Sequence, residues 1–306
     1  MSNLVVVGSV AFDAIETPFG KTDKIIGGAG TYIALSASNF NVNTKLISVV
    51  GGDFPEEYLV LLKSKNINID GIQVLADKKT FFWSGKYHDN MNKRDTLITE
   101  LNVLADFDPI IPDSYQDCDY LMLGNLSPEV QQLVLERITN KPKLIVLDTM
   151  NFWMNISHEA LLKVISMVDV LTVNDEEARQ LSGEYSLVTA AKRILKMGPK
   201  YLIIKKGEHG ALLFSNTEMF YAPALPMAQV YDPTGAGDTF AGGFIGYIAE
   251  KDNTDFNTLK NAMIAASALA SFCVEKFGTE QLNRITPKLF ESRIQQFINL
   301  STFNYL

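Results

Sequence analysis

The stretch DPTGAGDTF, residues 232–240, carries the reading of this chain. Pro233 fixes one backbone torsion, while Gly235 and Gly237 let the main chain approach a ligand with no Cβ in the way. The run AGGFIGYIAE that follows has helical character, so the turn opens a helix. Successive N–H groups at such a turn, backed by the positive end of a helix, form a cradle for phosphate oxygens; here they belong to Gly235, Ala236 and Gly237. Asp238 stands beside the cradle, where it can take a proton from an attacking hydroxyl. Alone, GAGD reads as a glycine turn capped by Asp. The full run, cradle and base together, points to phosphoryl transfer.

Upstream of this turn, short β-branched runs alternate with longer helical patterns. Leu4–Val7, Leu46–Val50, Tyr120–Leu123, Leu144–Leu147, Val170–Val173 and Tyr201–Ile204 are continuous apolar runs, as expected of parallel strands covered on both faces. Thr31–Asn39, Pro55–Ser64, Pro128–Ile138, Glu159–Met167, Asp175–Leu181 and Leu187–Met197 carry helical spacing, and the chain after Phe240 is mainly helical. The pattern predicts an α/β fold with a doubly wound, mainly parallel sheet flanked by helices and ligands at the C-terminal strand ends. Two segments break it, about 12–24 and 72–103, the second rich in β-formers around the polar turn Asp89–Arg94. They predict a small β-hairpin insertion within a single domain spanning 1–306.

Other motifs follow the same order of strand ends. GSVAFD places Asp13 after the first strand, and Gly27-Gly28-Ala29-Gly30 precedes the first helix. Asp148-Thr149-Met150-Asn151 and Asn174-Asp175-Glu176-Glu177 each follow a strand. Asn174 and Glu177 read equally as a capping box or as oxygen ligands on the first turn of a helix. Lys206-Gly207-Glu208-His209-Gly210 makes a GxxG turn, with Lys205 and Lys206 as cationic donors or solvated strand ends.

This ordered set, covering nearly the whole chain, resembles the ribokinase-like (PfkB) carbohydrate and nucleoside kinases. The resemblance implies an ATP-dependent kinase that phosphorylates a hydroxymethyl group of a sugar or sugar-like molecule, with Asp238 as base and Gly235-Ala236-Gly237 as anion hole. It assigns Asp13, Gly27, Gly28, Gly30, Tyr32, Asn151 and Asp232 to the acceptor. Asn174, Lys206, Gly207, Gly210 and Gly278 fall to the nucleotide, and Glu177 with Asn174 to Mg²⁺. It further implies a monovalent cation, K⁺, near Asp232, a β-lid over the acceptor, and a homodimer formed through that lid. The chain departs from the family pattern at Tyr32, where a polar Asn is common, at Ala29, where a Lys can occur, and after Asn151, where no Arg follows. Tyr32 and the lid aromatics Phe81, Phe82, Trp83 and Tyr87 suggest an aromatic wall, which keeps a nucleoside acceptor open as an alternative. A retired family member that binds its ligand without turnover is the other alternative. The intact Asp238, GAG and Asn174/Glu177 set argues against it.

Composition narrows the partners. A net charge of −8 over 306 residues argues against a nucleic-acid or anionic-membrane surface, yet allows a nucleotide held locally. Two distant cysteines, Cys118 and Cys273, offer neither a disulfide framework nor a zinc motif. No signal-like segment opens the sequence, and the longest apolar stretch, Ala262–Val274, is too short to span a bilayer. A cytoplasmic location is the expectation.

Overall fold

Nine strands form one twisted sheet in the computed structural model, which describes residues 1–304. In chain order the strands begin with β1 Asn3–Val7, β2 Ala11–Thr17, β3 Gly20–Lys21, β4 Ile25–Gly27, β5 Asn43–Gly51, β6 Asn68–Leu75 and β7 Phe82–Tyr87. They continue with β8 Arg94–Glu100, β9 Tyr120–Leu123, β10 Leu144–Asp148, β11 Val170–Asn174, β12 Tyr201–Lys205, β13 Ala211–Phe214 and β14 Met219–Ala222. The large sheet runs β14-β13-β12-β11-β10-β9-β1-β5-β6, parallel from β6 to β12 and antiparallel at the β13 and β14 edge. Connections from β1 run outward in both directions, so the strand order reverses between β1 and β9 and leaves a crevice at their C-terminal ends.

The helices are α1 Ala29–Ala37, α2 Glu56–Ser64, α3 Pro128–Arg137, α4 Asn151–Ile156, α5 His158–Ile165, α6 Asp175–Ser182 and α7 Leu187–Leu195, followed by α8 Ala236–Lys251, α9 Phe256–Cys273 and α10 Pro287–Ser301. Strand alternation divides the core between the two faces. Leu4 and Val6 of β1 pack with Ile33 of α1, Phe244 of α8 and Leu269 of α9, whereas Val5 and Val7 pack with Val134 of α3, Leu161 of α5 and Ile194 of α7. Each such fully buried side chain contributes about 1.5–3 kcal/mol, which makes the central strands the rigid base of the crevice. α8 lies tightly on α1: Ser36 Oγ donates to the Thr239 carbonyl at 2.6 Å.

A second sheet, β3-β2-β7-β8 with β4 on β2, stands over the crevice as the expected lid. Its bounds differ from the sequence reading. Residues 72–75 belong to β6, an edge strand of the main sheet, and the second lid segment begins only at β7. The alternating, half-exposed pattern of β6 is that of an edge strand, which composition alone does not separate from a lid strand. Strand β8 is exposed along its whole length.

Candidate active site

The turn before α8 has the geometry a phosphate cradle needs. Gly235 is the N-cap, at φ 75°, so it occupies the left-handed region open to glycine. Ala236, Gly237 and Asp238 form the first helical turn, where backbone N–H groups lack partners within the helix. A Cβ on Gly237 would have one neighbouring side chain, the Lys205 ammonium, at 3.3 Å. The open side of the turn therefore faces a cation.

Strand stagger places that cation. Lys205 ends β12 opposite Asn174 of β11, while Asp148 of β10 sits opposite Thr172. Lys205 Nζ pairs with Asp148 Oδ1 at 2.7 Å in a nearly closed environment, and Thr172 Oγ1 donates to the same oxygen. Burial alone would lower the Lys205 pKa, but Asp148, Glu177 and Asp238 around it raise it, so the ammonium is secured in its charged form. Lys206, the residue expected at the nucleotide, instead caps the 3₁₀ turn Gly207–His209 and donates its N–H to the Gly210 carbonyl at 2.8 Å. Of the two adjacent lysines the strand turns Lys205 inward.

Asp238 is half-buried, open to the crevice on one side only. Burial, and then the charge of Asp148, push its pKa up to about 7, against the opposing pull of Lys205 and Arg94. Across the crevice Asp13, on β2, is likewise pushed up to about 7 by burial and by Asp232, with the Gly28 N–H holding it down. Its carboxylate lies where a Cβ on Gly27 would be, 1.9 Å from Oδ2, so Gly27 exists to make room for it. Gly28 caps α1 at φ 90°. Gly30 packs on the Gly8 backbone, which would lie 2.8 Å from an added Cβ; this glycine lets α1 approach the end of β1.

One further expectation, Tyr32, is corrected, and two more residues are placed. Tyr32 is 1 % exposed, with its ring under Gly235, where an added Cβ would strike it at 2.4 Å. It supports the cradle from below and offers no open face for stacking, while its hydroxyl has no partner. Asn151 opens α4, and its backbone N–H helps to hold down the pKa of Glu177, so its main chain lies beside the donor-side carboxylates. Gly278 donates to Asp232 Oδ2 at 2.8 Å and packs against Ile25 of the lid base. Both oxygens of Asp232 are engaged, since Oδ1 accepts from the Thr234 N–H at 2.8 Å.

Asn174 and Glu177 form a complete capping box on α6: Asn174 N–H donates to Glu177 Oε2 at 2.7 Å, and Glu177 N–H to Asn174 Oδ1 at 2.8 Å. Glu177 is buried, and this pushes its pKa up to about 7 despite the Lys205 charge nearby. No group of three or more acidic, His or Cys ligands converges among the described residues. Asp148 and Glu177 are the buried carboxylates beside Lys205 that could hold a Mg²⁺ ion, a hard ion that keeps several waters and takes phosphate oxygens. Gly207 and Gly210, at φ 55° and 77°, shape the turn after β12.

Two residues that the sequence left unremarked complete the crevice from the lid. Arg94, at the start of β8, pairs in register with Tyr87, whose hydroxyl accepts from Thr234 Oγ1 at 3.2 Å. Asn92, in the turn before it, donates to Glu208 Oε1 at 3.4 Å.

A pfkB family carbohydrate kinase profile matches residues 1–285. The chain belongs to the PfkB carbohydrate kinase family. It is 32% identical to a cytidine kinase of Thermococcus kodakarensis, over 80% of this chain and 88% of the relative. A nucleoside kinase of Methanothermobacter thermautotrophicus is 29% identical over 91% of both chains. In fold it resembles the nucleoside kinase of Methanocaldococcus jannaschii, with a TM-score of 0.78, 23% identity and coverage of 97% and 99% of the two chains. A ribokinase II from E. coli, solved with ATP and Mg²⁺, matches at a TM-score of 0.80 with 21% identity over 97% of this chain and all of that one. The protein is therefore a PfkB-family kinase, an ATP-using phosphotransferase with a sugar-like alcohol as acceptor. Among the described residues no helix is long and apolar enough to cross a membrane.

Proposed function

We propose that the protein transfers the γ-phosphoryl group of ATP to a hydroxymethyl group of a neutral sugar or sugar-like molecule, with Asp238 as the base. The observation that carries this reading is the position of Asp238: its carboxylate shares the first turn of α8 with the phosphate cradle, between Lys205 on the donor side and Asp13 on the acceptor side. As the acceptor oxygen bonds to phosphorus and the bond to the ADP oxygen breaks, the hydroxyl proton passes to Asp238. The Gly235–Gly237 amides and Lys205 hold the negative charge of the moving group. Asp13 fixes the acceptor through two neighbouring hydroxyls. Asp148 and Glu177 would hold a Mg²⁺ ion, which would supply charge neutralisation on the phosphates. Each Asp232 oxygen accepts one backbone N–H and keeps a lone pair free, so a K⁺ ion beside it fits this reading, and comparing the rate in K⁺ and Na⁺ buffers tests it.

The named relatives support a ribosyl acceptor, the ribose ring of a nucleoside, as a second reading. The half-exposed Trp83 of the lid, rather than the buried Tyr32, is then the ring available for stacking. The exposed Leu97 and Ile98 of β8 fit the lid face of a homodimer, which sedimentation at varied concentration tests. A coupled assay of ADP release across ribose, hexoses, sugar acids, cytidine and inosine tests the function. Turnover is expected with a neutral sugar or nucleoside. MgATP binding without turnover on any of them contradicts the reading.

A further inference from the structure

Helices α1 and α8 carry the two halves of the reaction at their N-termini. α1 opens on the loop Gly27–Gly28, against which the Asp13 carboxylate rests, and α8 opens on the cradle. Further along, the two helices are in backbone contact. A Cβ on Gly242 would come within 2.2 Å of the Ile33 carbonyl oxygen, and one on Gly246 within 3.0 Å of the Ala37 Cα. At the crevice end one side chain, Tyr32, stands between them. Transfer requires that a hydroxyl held by the first helix end and a phosphoryl group held by the second meet at reacting distance.

Tyr32 belongs to both halves. Its N–H donates to the Gly28 carbonyl at 3.3 Å, which ties it to the acceptor loop. Its ring meets Gly235, where an added Cβ would fall 2.4 Å from Cδ1 and Cε1 and 2.5 Å from Cγ. The ring packs in one buried cluster with Cys273, at the end of α9, and with Leu282. Cys273 donates its thiol to the Thr234 carbonyl at 3.5 Å, and the Thr234 N–H donates to Asp232 Oδ1. Gly235, at φ 75°, has no side chain of its own to restrain it. The ring beneath it and the fastened Thr234 beside it supply that restraint. The Tyr32 hydroxyl is buried without a partner. An unpaired buried hydroxyl lowers stability, so what this residue contributes comes from its ring.

We propose that Tyr32 is a positioning residue, whose ring is the spacer that sets the distance between the acceptor loop and the phosphate cradle. Buried beneath the turn, it acts through Gly235 and touches neither ligand. The proposal rests on the kinase reading with Asp238 as base. A misplacement of about 1 Å can lower a rate by about a hundredfold while each ligand keeps its own contacts. Tyr32 therefore governs kcat and leaves acceptor KM and MgATP affinity almost unchanged.

The test compares Tyr32→Ala, Tyr32→Phe, Leu282→Ala and Asp238→Asn with the parent enzyme. The readouts are transfer to the best acceptor of the panel above, thermal melting, and titration with MgADP at saturating acceptor, with and without aluminium fluoride as a mimic of the moving phosphoryl group. Tyr32→Ala is expected to lower kcat by about 10–10²-fold with acceptor KM almost unchanged. It should weaken binding of MgADP with aluminium fluoride by a similar factor, while MgADP alone binds as in the parent. Tyr32→Phe keeps the ring, restores the rate and raises the melting temperature. Leu282→Ala opens the same cluster and lowers the melting temperature, as Tyr32→Ala does, yet keeps the parental kcat. Parental kcat in Tyr32→Ala, or an equal loss of rate in Leu282→Ala, would overturn the proposal. Tyr32→Phe as slow as Tyr32→Ala would overturn it in favour of the hydroxyl. Parental activity in Asp238→Asn beside a slow Tyr32→Ala would remove the base and leave the spacer standing.

Discussion

The floor of the crevice and its roof are built by different rules. The floor groups, Asp148, Asn174 and Lys205, end three adjacent parallel strands, and Asp238 starts a helix whose interior face is fully buried. Their positions are set by main-chain hydrogen bonds and by a core on both sides of the sheet. Roof residues Trp83, Tyr87 and Arg94 stand on a thin sheet with one strand exposed throughout, anchored through single hydrogen bonds at Thr234 and Glu208. The floor keeps Lys205 charged where burial alone would not, because the carboxylates around it compensate, while Asp238 stays raised by burial to about 7. The roof needs only to close and to supply contacts. In the proposed reaction the floor supplies the base and the cradle, and the roof supplies contacts to the acceptor.

Substitutions in the two regions should therefore differ in kind as well as in size. Asp238→Asn keeps the shape of the first turn and should lower kcat by about 10²–10⁴-fold with MgATP affinity retained. The same change should raise the melting temperature at alkaline pH. A carboxyl whose folded pKa is raised stabilises the fold below its ordinary range, and that contribution is lost as pH rises through about 7. Lys205→Met should lower kcat by about 10²–10³-fold. Calorimetry should show weakened MgATP binding, and thermal melting reduced stability, because Asp148 is left unpaired in the interior.

Glu177→Gln separates two roles that the sequence could not. Gln still closes the capping box, so stability should hold, while loss of charge raises the Mg²⁺ concentration for half-maximal rate by about tenfold. An unchanged Mg²⁺ titration would leave Glu177 as a cap. The smallest effect belongs to the roof: Tyr87→Phe removes the bond with Thr234, worth about 0.5–1.5 kcal/mol, and should raise acceptor KM a few-fold at nearly constant kcat. A large loss of kcat in this variant would show that the roof, too, holds reacting groups rigidly.

The same division explains what the sequence disclosed. DPTGAGDTF was legible because cradle and base share one helix turn, so their relation is local in the chain. The parallel strands were legible as apolar runs, and Glu177 and Asp238 as helix-start acids, whereas Asp13 stands inside the lid strand β2, which the sequence did not separate from the first strand. Lys205 was ambiguous beside Lys206 because only the register with Asn174 decides which ammonium enters the crevice. Glycines misled where a motif glycine serves packing: Gly30 accommodates Gly8, and Gly278 braces Asp232. Tyr32 looked like a binding surface, since sequence reports an aromatic ring and not the turn that covers it. Arg94 carried no motif at all. Its place opposite Tyr87 comes from a strand pairing within the lid, which no local spacing encodes.

The most direct test of the central claim is the pH dependence of kcat at saturating acceptor and MgATP. Only the ionised form of Asp238 accepts the hydroxyl proton, and burial with Asp148 nearby has moved its ionisation up to about 7. The account predicts that kcat is level above this value and falls about tenfold per pH unit below it. In Asp238→Asn the acid limb should become shallower, keeping only the share that Asp13 and Glu177, also raised to about 7, contribute. A level profile down to about pH 5 in the parent enzyme, or the same acid limb in Asp238→Asn, would contradict Asp238 as the base.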